Sequence, residues 1–474
     1  MKQHFAIFCL LAALSLGGLW GIHRSVGGTA QALAFREEPQ LGDLSAAQGL
    51  TVSTQATLQD QLFWDFSMTP EGQTSAEVRF SKQPERQDQG GKPYFELYTL
   101  TQSSASTSGT FDLEGPEAVP WMAGAYRELA ESIQPNGTST GDFLVTDYME
   151  TYPASFTLRT PFANYHWDAA NPDWVNHTDA FSTQLQQAFT FPVLEGHRQQ
   201  LQVQANDQGQ VVAYGSTDLE GSGVSIYSQS FASPDSLFFV VEARAERDDS
   251  LLDYSHTPGG YGVYRLPMDR EELTMEDLEL VYTLDPTEHI LDFTFYPDTN
   301  CLLQAVSQED RFFLRTVDLT TGETLQILPL PDRDPEHRFL QLFQSNGLTL
   351  VADSHTQALL LQPDDRGGFT PLLTFPLPDQ DTYSELLLQP LALAWDGQRL
   401  ALASQAFTPQ EGYAYSGGFN TSFSLFLFDE TGPLYAGTLR NSLDAGIGQV
   451  QFSQDLCRLT GDPLLTLQWK EAAP

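Results

Sequence analysis

The feature that most constrains this chain is a four-strand unit spelled out in residues 289–331. Leu291, Phe293 and Phe295 alternate with Asp292, Thr294 and Tyr296, the period-two pattern that sends successive side chains to opposite faces of a strand. Residues 297–300 (Pro-Asp-Thr-Asn) supply turn chemistry, and 301–306 resume an apolar run able to pair back on the first strand. A polar turn at 307–310, a run at 312–317, a turn at 318–323 and then Leu325, Ile327 and Leu330 complete the unit.

The unit recurs. Runs at 339–343, 348–352, 358–361 and 372–377 repeat the order, with turns at 344–347 and 364–368. The exit Leu328-Pro329-Leu330-Pro331-Asp332 returns as Phe375-Pro376-Leu377-Pro378-Asp379. A repeat of roughly 40–50 residues built from four strands indicates a β-propeller. The expected fold class is therefore all-β, in one large domain over residues 49–474, because propellers grow by adding blades. The chain's 28 Pro and 36 Gly suit many tight turns, and 12% aromatic residues argue against disorder.

Taken in order, runs at 62–68, 76–80, 94–100 and 110–113 read as a first blade. In 115–136, Trp121, Ala125, Leu129 and Ile133 recur at helical spacing, predicting one inserted helix over about 117–134 that Pro135-Asn136-Gly137 ends. A second blade is read from 143–148, 155–159, 201–204 and 211–214. A third is read from 224–228, 237–241, 262–266 and 278–284, and a sixth from 392–395, 400–403, 423–428 and 434–438. The C-terminus offers three strands, 450–452, 456–459 and 464–469, and the N-terminus one orphan, 50–58. Edge strands need covering. The orphan is therefore expected to pair beside 464–469 and complete a seventh blade of four antiparallel strands.

The turn Asp318-Leu319-Thr320-Thr321-Gly322-Glu323 resembles the third-to-fourth strand turn of quinoprotein-like and WD40-like propellers. Trp-Asp pairs occur at Trp64-Asp65, Trp167-Asp168 and Trp395-Asp396, but the last leads into a first turn and does not close a third strand. The resemblance is to β-propellers in general and singles out no family.

Residues 5–22 form an uncharged, largely apolar run, and no Asp or Glu precedes Glu37. This reads as a membrane anchor or signal peptide over 1–34, with Ala32-Leu33-Ala34 as a small-residue cleavage pattern and 35–48 as a stalk. The expected address is extracytoplasmic. Without residues 1–34, 21 basic face 62 acidic residues, a field that repels nucleic acid and leaves the membrane reachable only through the N-terminal segment. The chain is expected to be a monomer. Cys301 and Cys457 fall on strands of distant blades and read as buried thiols.

No zinc helix, Cys-Xaa-Xaa-Cys pair, phosphate loop or EF-hand is present, so neither metal nor cofactor is expected. Gly137-Thr138-Ser139-Thr140-Gly141 matches a nucleophile-elbow pattern literally, but it leads from helix to strand, the reverse of an elbow. Two long loops, each joining a second to a third strand, should share one face. Residues 243–260 carry Asp253, Tyr254 and His256 with Tyr261 beyond, and 406–420 carry Tyr413, Tyr415 and Phe419. Tyr offers rigid amphipathic contact area. The leading expectation is thus a propeller that binds a protein, peptide or glycan of the cell envelope through these residues, without chemistry. The alternative is an envelope hydrolase or lyase using carboxylates, with His256.

Overall fold

The computed structural model describes residues 35–470 apart from 59–61, 81–93, 100–103, 107–109, 112–121, 160–165, 168–173, 176–178, 220–223, 246–252, 269–272, 331–339, 354–356, 377–389, 406–422, 442–450, 453–464 and a few isolated positions. The chain divides into two compact units, Met1–Gly91 with Glu336–Pro474, and Lys92–Pro335. Among the described residues it is all-β, with antiparallel sheets of the propeller type: four of four strands, two of five, and two small two-stranded sheets.

In the second unit, Val224–Ala232, Ser236–Ala245, Gly262–Pro267 and Glu279–Thr283 pair in chain order, as do Glu288–Tyr296, Cys301–Gln308, Arg311–Asp318 and Glu323–Pro329. The turns are the ones the residues dictate. Asp318 Oδ1 accepts from Thr320 N at 2.7 Å, and Gly322 supplies the positive φ of 71° that closes the hairpin. Cys301–Gln308 is buried on both faces over most of its length, whereas Arg198–Ala205 alternates exposed and buried. One apolar core gathers Phe189, Phe191, Phe238, Phe239 and Tyr264 with residues of the helices Ala123–Glu131 and Asp179–Ala188. The first helix lies within the expected 117–134. The second was not expected from the sequence.

In the first unit, Leu340–Ser345, Leu348–Asp353, Gln357–Pro363 and Phe369–Pro376 form the repeat copy. Its first hairpin uses Asn346-Gly347 with φ of 52° and 71°, the primed-turn geometry that this dipeptide favours. The strand Leu50–Leu58 pairs with Leu465–Trp469, from Leu50 opposite Trp469 to Thr54 opposite Leu465, which is the expected closure.

Three expectations need correction. Leu50–Leu58 is not an orphan, since its other edge pairs with Leu62–Met68, which pairs in turn with Thr74–Phe80. The strands read as the start of a first blade therefore complete the last one. Tyr94–Thr99 pairs instead with Ala154–Arg159, outside the sheet of Thr138–Leu144, Arg198–Ala205 and Val211–Asp218. Long insertions between those strands hid this pairing. Finally, Phe35–Gly42, read as stalk, is a strand on Gly432–Asn441, from Phe35 opposite Asn441 to Gly42 opposite Tyr435. Arg440 Nε donates to Glu38 Oε2 at 2.6 Å, and the Phe35 ring lies 5.3 Å from Phe66 and 5.9 Å from Phe423. No helix among the described residues is long and apolar enough to cross a membrane, and residues 5–22 lie almost entirely outside them.

Candidate active site

Charged residues on apolar strands mark the site. Ser236–Ala245 is buried from Leu237 to Ala243, yet carries Glu242, 1% exposed, in its midst. A carboxylate there requires partners, and the fold brings them from three strands. Glu242 Oε1 accepts from Tyr227 Oη at 2.6 Å, from Arg244 Nε at 2.7 Å and from His289 Nδ1 at 2.6 Å, while Oε2 accepts from Ile290 N at 3.2 Å. Tyr227 stands directly opposite Glu242 in the sheet. His289 and Ile290 belong to Glu288–Tyr296, whose register shifts between Ile290 and Asp292. Gln229 Nε2 holds that irregularity by donating to Ile290 O at 3.0 Å and Leu291 O at 2.5 Å.

The electrostatics follow from this crowding. Burial and then the Glu242 charge push the Tyr227 hydroxyl well above its ordinary value, and the same two causes raise Tyr261. Burial alone would lower Arg244, but Glu242 and Tyr227 outweigh it and the guanidinium stays charged. Because an ionised carboxylate only accepts, His289 Nδ1 carries the proton and Nε2 is the basic nitrogen. Next to His289 in the chain, Glu288 pairs through Oε1 with Arg315 Nη1 at 2.7 Å, and Arg315 Nε donates to Gln304 Oε1 at 2.8 Å. The Arg315 guanidinium lies 5.1 Å from the Tyr282 ring centroid.

A second buried histidine serves another purpose. His197 Nδ1 meets Tyr152 Oη at 2.9 Å and Nε2 meets Asp218 Oδ1 at 2.9 Å, while Leu194 N donates to Tyr152 Oη at 3.2 Å. The His197 side chain is fully enclosed, whereas Arg244 of the Glu242 cluster keeps 22% of its side chain in solvent. The first arrangement secures a loop. The second can meet a substrate.

The sequence-derived residues fare differently. Tyr254 and Tyr261 are buried and stacked, with centroids 4.4 Å apart, and their hydroxyls bond Ala243 and Glu288 backbone, so they pack the core and offer no exposed contact area. Asp253 and His256 are exposed, with Oδ2 and Nε2 3.7 Å apart; the Asp253 carboxyl is held low by the Ser255 side chain and backbone. Tyr413, Tyr415 and Phe419 lie outside the described residues. Sequence reasoning missed Glu242, His289 and Arg315. A signal existed, since each is a charge or imidazole inside an apolar strand, where such groups are rare unless paired.

No family model matches the chain, and no curated protein matches it in sequence. Solved structures that it resembles are propellers. The periplasmic gluconolactonase of Pseudomonas aeruginosa is 10% identical, with 83% of this chain and 95% of that one covered at a TM-score of 0.28. A gluconolactonase from Xanthomonas campestris is 15% identical, with 54% and 80% covered at 0.23. The WD40 domain of SCAP from fission yeast is 8% identical, with 81% and 71% covered at 0.25. At these identities the likeness concerns fold, and no residue role passes across. The expectation of a propeller that binds without chemistry is corrected by the charged cluster described above, which is of the kind used for proton transfer.

Proposed function

We propose that this chain is an acid–base enzyme of the hydrolase or lyase kind, with His289 as the proton-transfer group. The observation that carries the reading is the 2.6 Å bond from His289 Nδ1 to Glu242 Oε1 inside a largely desolvated cluster. Glu242 is the positioning residue: it fixes the imidazole tautomer and stabilises the imidazolium formed when Nε2 takes a proton from water or from a substrate carbon. Tyr227 and Arg244 hold that carboxylate in place through their own hydrogen bonds. Arg244, which uses only Nε on Glu242, also offers further N–H donors to negative charge developing on a substrate. The carboxylate of this reading is thus Glu242 in its strand, in place of Asp253 with His256. We further propose that the enzyme works outside the cytoplasm, on the strength of the apolar run at 5–22.

The test is a hydrolysis assay on a panel of sugar lactones, the compounds that the gluconolactonases above are named for, and of aryl esters. His289→Gln should lower turnover about 10²–10⁴-fold while thermal unfolding stays unchanged. Turnover of no member by the wild-type protein, or full activity in His289→Gln, would sink the reading.

A further inference from the structure

Beside the acceptor Oε1 of Gln229, the buried polar atoms around the cluster that lack a partner include two donors, Nη2 of Arg315 and Nε2 of Gln304. Both can only donate. Gln304 is fully buried and Arg315 is 5% exposed, so bulk water does not serve them. Reversing the Gln304 amide offers no escape, because Oε1 already accepts from Arg315 Nε at 2.8 Å and a reversal would set two donors face to face. The two side chains are bonded to each other, so both orphaned donors belong to one pair of neighbouring groups. A buried donor without an acceptor forfeits its solvation, so a shared acceptor would remove a penalty at both groups.

Charge decides what kind of acceptor belongs there. Arg315 is matched by Glu288 at 2.7 Å and Arg244 by Glu242 at 2.7 Å, which leaves the cluster neutral with a neutral imidazole. The whole chain carries a net charge of −39. An anion would add an unmatched buried charge against that field, whereas a hydroxyl or carbonyl oxygen accepts two N–H bonds and adds none.

We propose that Arg315 and Gln304 form a subsite for an uncharged ligand, whose hydroxyl or carbonyl oxygen bridges Arg315 Nη2 and Gln304 Nε2. The subsite rests on the acid–base reading only for its place next to the reacting atoms. Binding needs no turnover, so loss of activity in His289→Gln and loss of ligand binding are separate outcomes.

The experiment measures thermal unfolding and calorimetric binding of the full chain with glucitol, glucono-δ-lactone and gluconate. The uncharged pair should raise the unfolding temperature and bind, and gluconate should bind at least about tenfold more weakly. Gln304→Glu keeps an acceptor for Arg315 Nε but turns the orphaned donor into an acceptor, so it should abolish the shift. Arg315→Lys provides a second variant that keeps the ion pair with Glu288 and removes Nη2. Tighter binding of gluconate, an unchanged shift in Gln304→Glu, or no binding of any probe together with crystallographic water bridging the two donors would each overturn the proposal.

Discussion

At the scale of single residues, Glu242 bears the highest stakes because four donors converge on its two oxygens. Glu242→Ala leaves the Arg244 charge and the Ile290 amide without their acceptor and should cost about 3–5 kcal/mol in chemical denaturation. Glu242→Gln keeps one acceptor and should cost clearly less; equal losses would mean that the retained acceptor contributes nothing and the carboxylate charge carries the stabilisation. Tyr152 offers a pH test. Burial pushes its hydroxyl up to about 12 from an ordinary 10, so the folded state holds that proton longer than the unfolded chain does. The resulting stability is complete below pH 10 and fades as pH rises through 12. Tyr152→Phe should therefore flatten the loss of stability over that interval, as followed by urea unfolding at successive pH values. Each charge stood out in its apolar strand, but their meeting was not legible beforehand. Glu242, His289 and Arg315 are 47 and 26 residues apart in sequence, and the first two touch only because side chains of two different sheets pack together.

At the scale of elements, the hairpin turn at Asn346 joins three sheets of its unit. Its Nδ2 donates to Leu393 O at 2.5 Å and to Leu467 O at 3.3 Å, and Ser345 Oγ accepts from Leu393 N at 3.2 Å. Asn346→Gly tolerates the φ of 52° yet removes the amide, so it should cost about 1–3 kcal/mol by thermal unfolding, and a neutral result would show the bonds to be incidental. Gly42 is constrained by close approach: a Cβ there would sit 2.0 Å from Leu434 O, so Gly42→Ala should loosen Phe35–Gly42 from its partner strand. A limited-proteolysis pattern identical to wild type would contradict this. Strand positions from Val224 onward were readable because period-two alternation and Asx or Asn-Gly turns survive without context. Before residue 220 strands such as 50–58, 62–68 and 155–159 were readable as well, but their pairing was not, because Tyr94–Thr99 finds its partner some 60 residues on, across a helix and insertions that no local pattern reports.

At the scale of the whole molecule, the two ends of the chain determine how much of it can be removed. Removing residues 35–48, tolerable for a stalk, strips a strand from Gly432–Asn441 and bares Phe66 and Phe423. Aggregation and a lower unfolding temperature are expected, measured against the protein cut before Phe35, and indistinguishable melting would show that the strand contributes nothing. The closure by Leu50–Leu58 on Leu465–Trp469 was legible because a sheet edge must be covered. The number of strands in that sheet was not, because the same strand also recruits Leu62–Met68 and Thr74–Phe80. That shared sheet has a consequence for synthesis. The unit spanning Lys92–Pro335 is contiguous and has all its strands once Pro335 has left the ribosome, whereas Leu50–Phe80 must wait for the last residues of the chain before its sheet can close. During that wait an apolar, unpaired edge is exposed on every nascent copy, so the stretch most in need of a chaperone is made long before the strand that covers it.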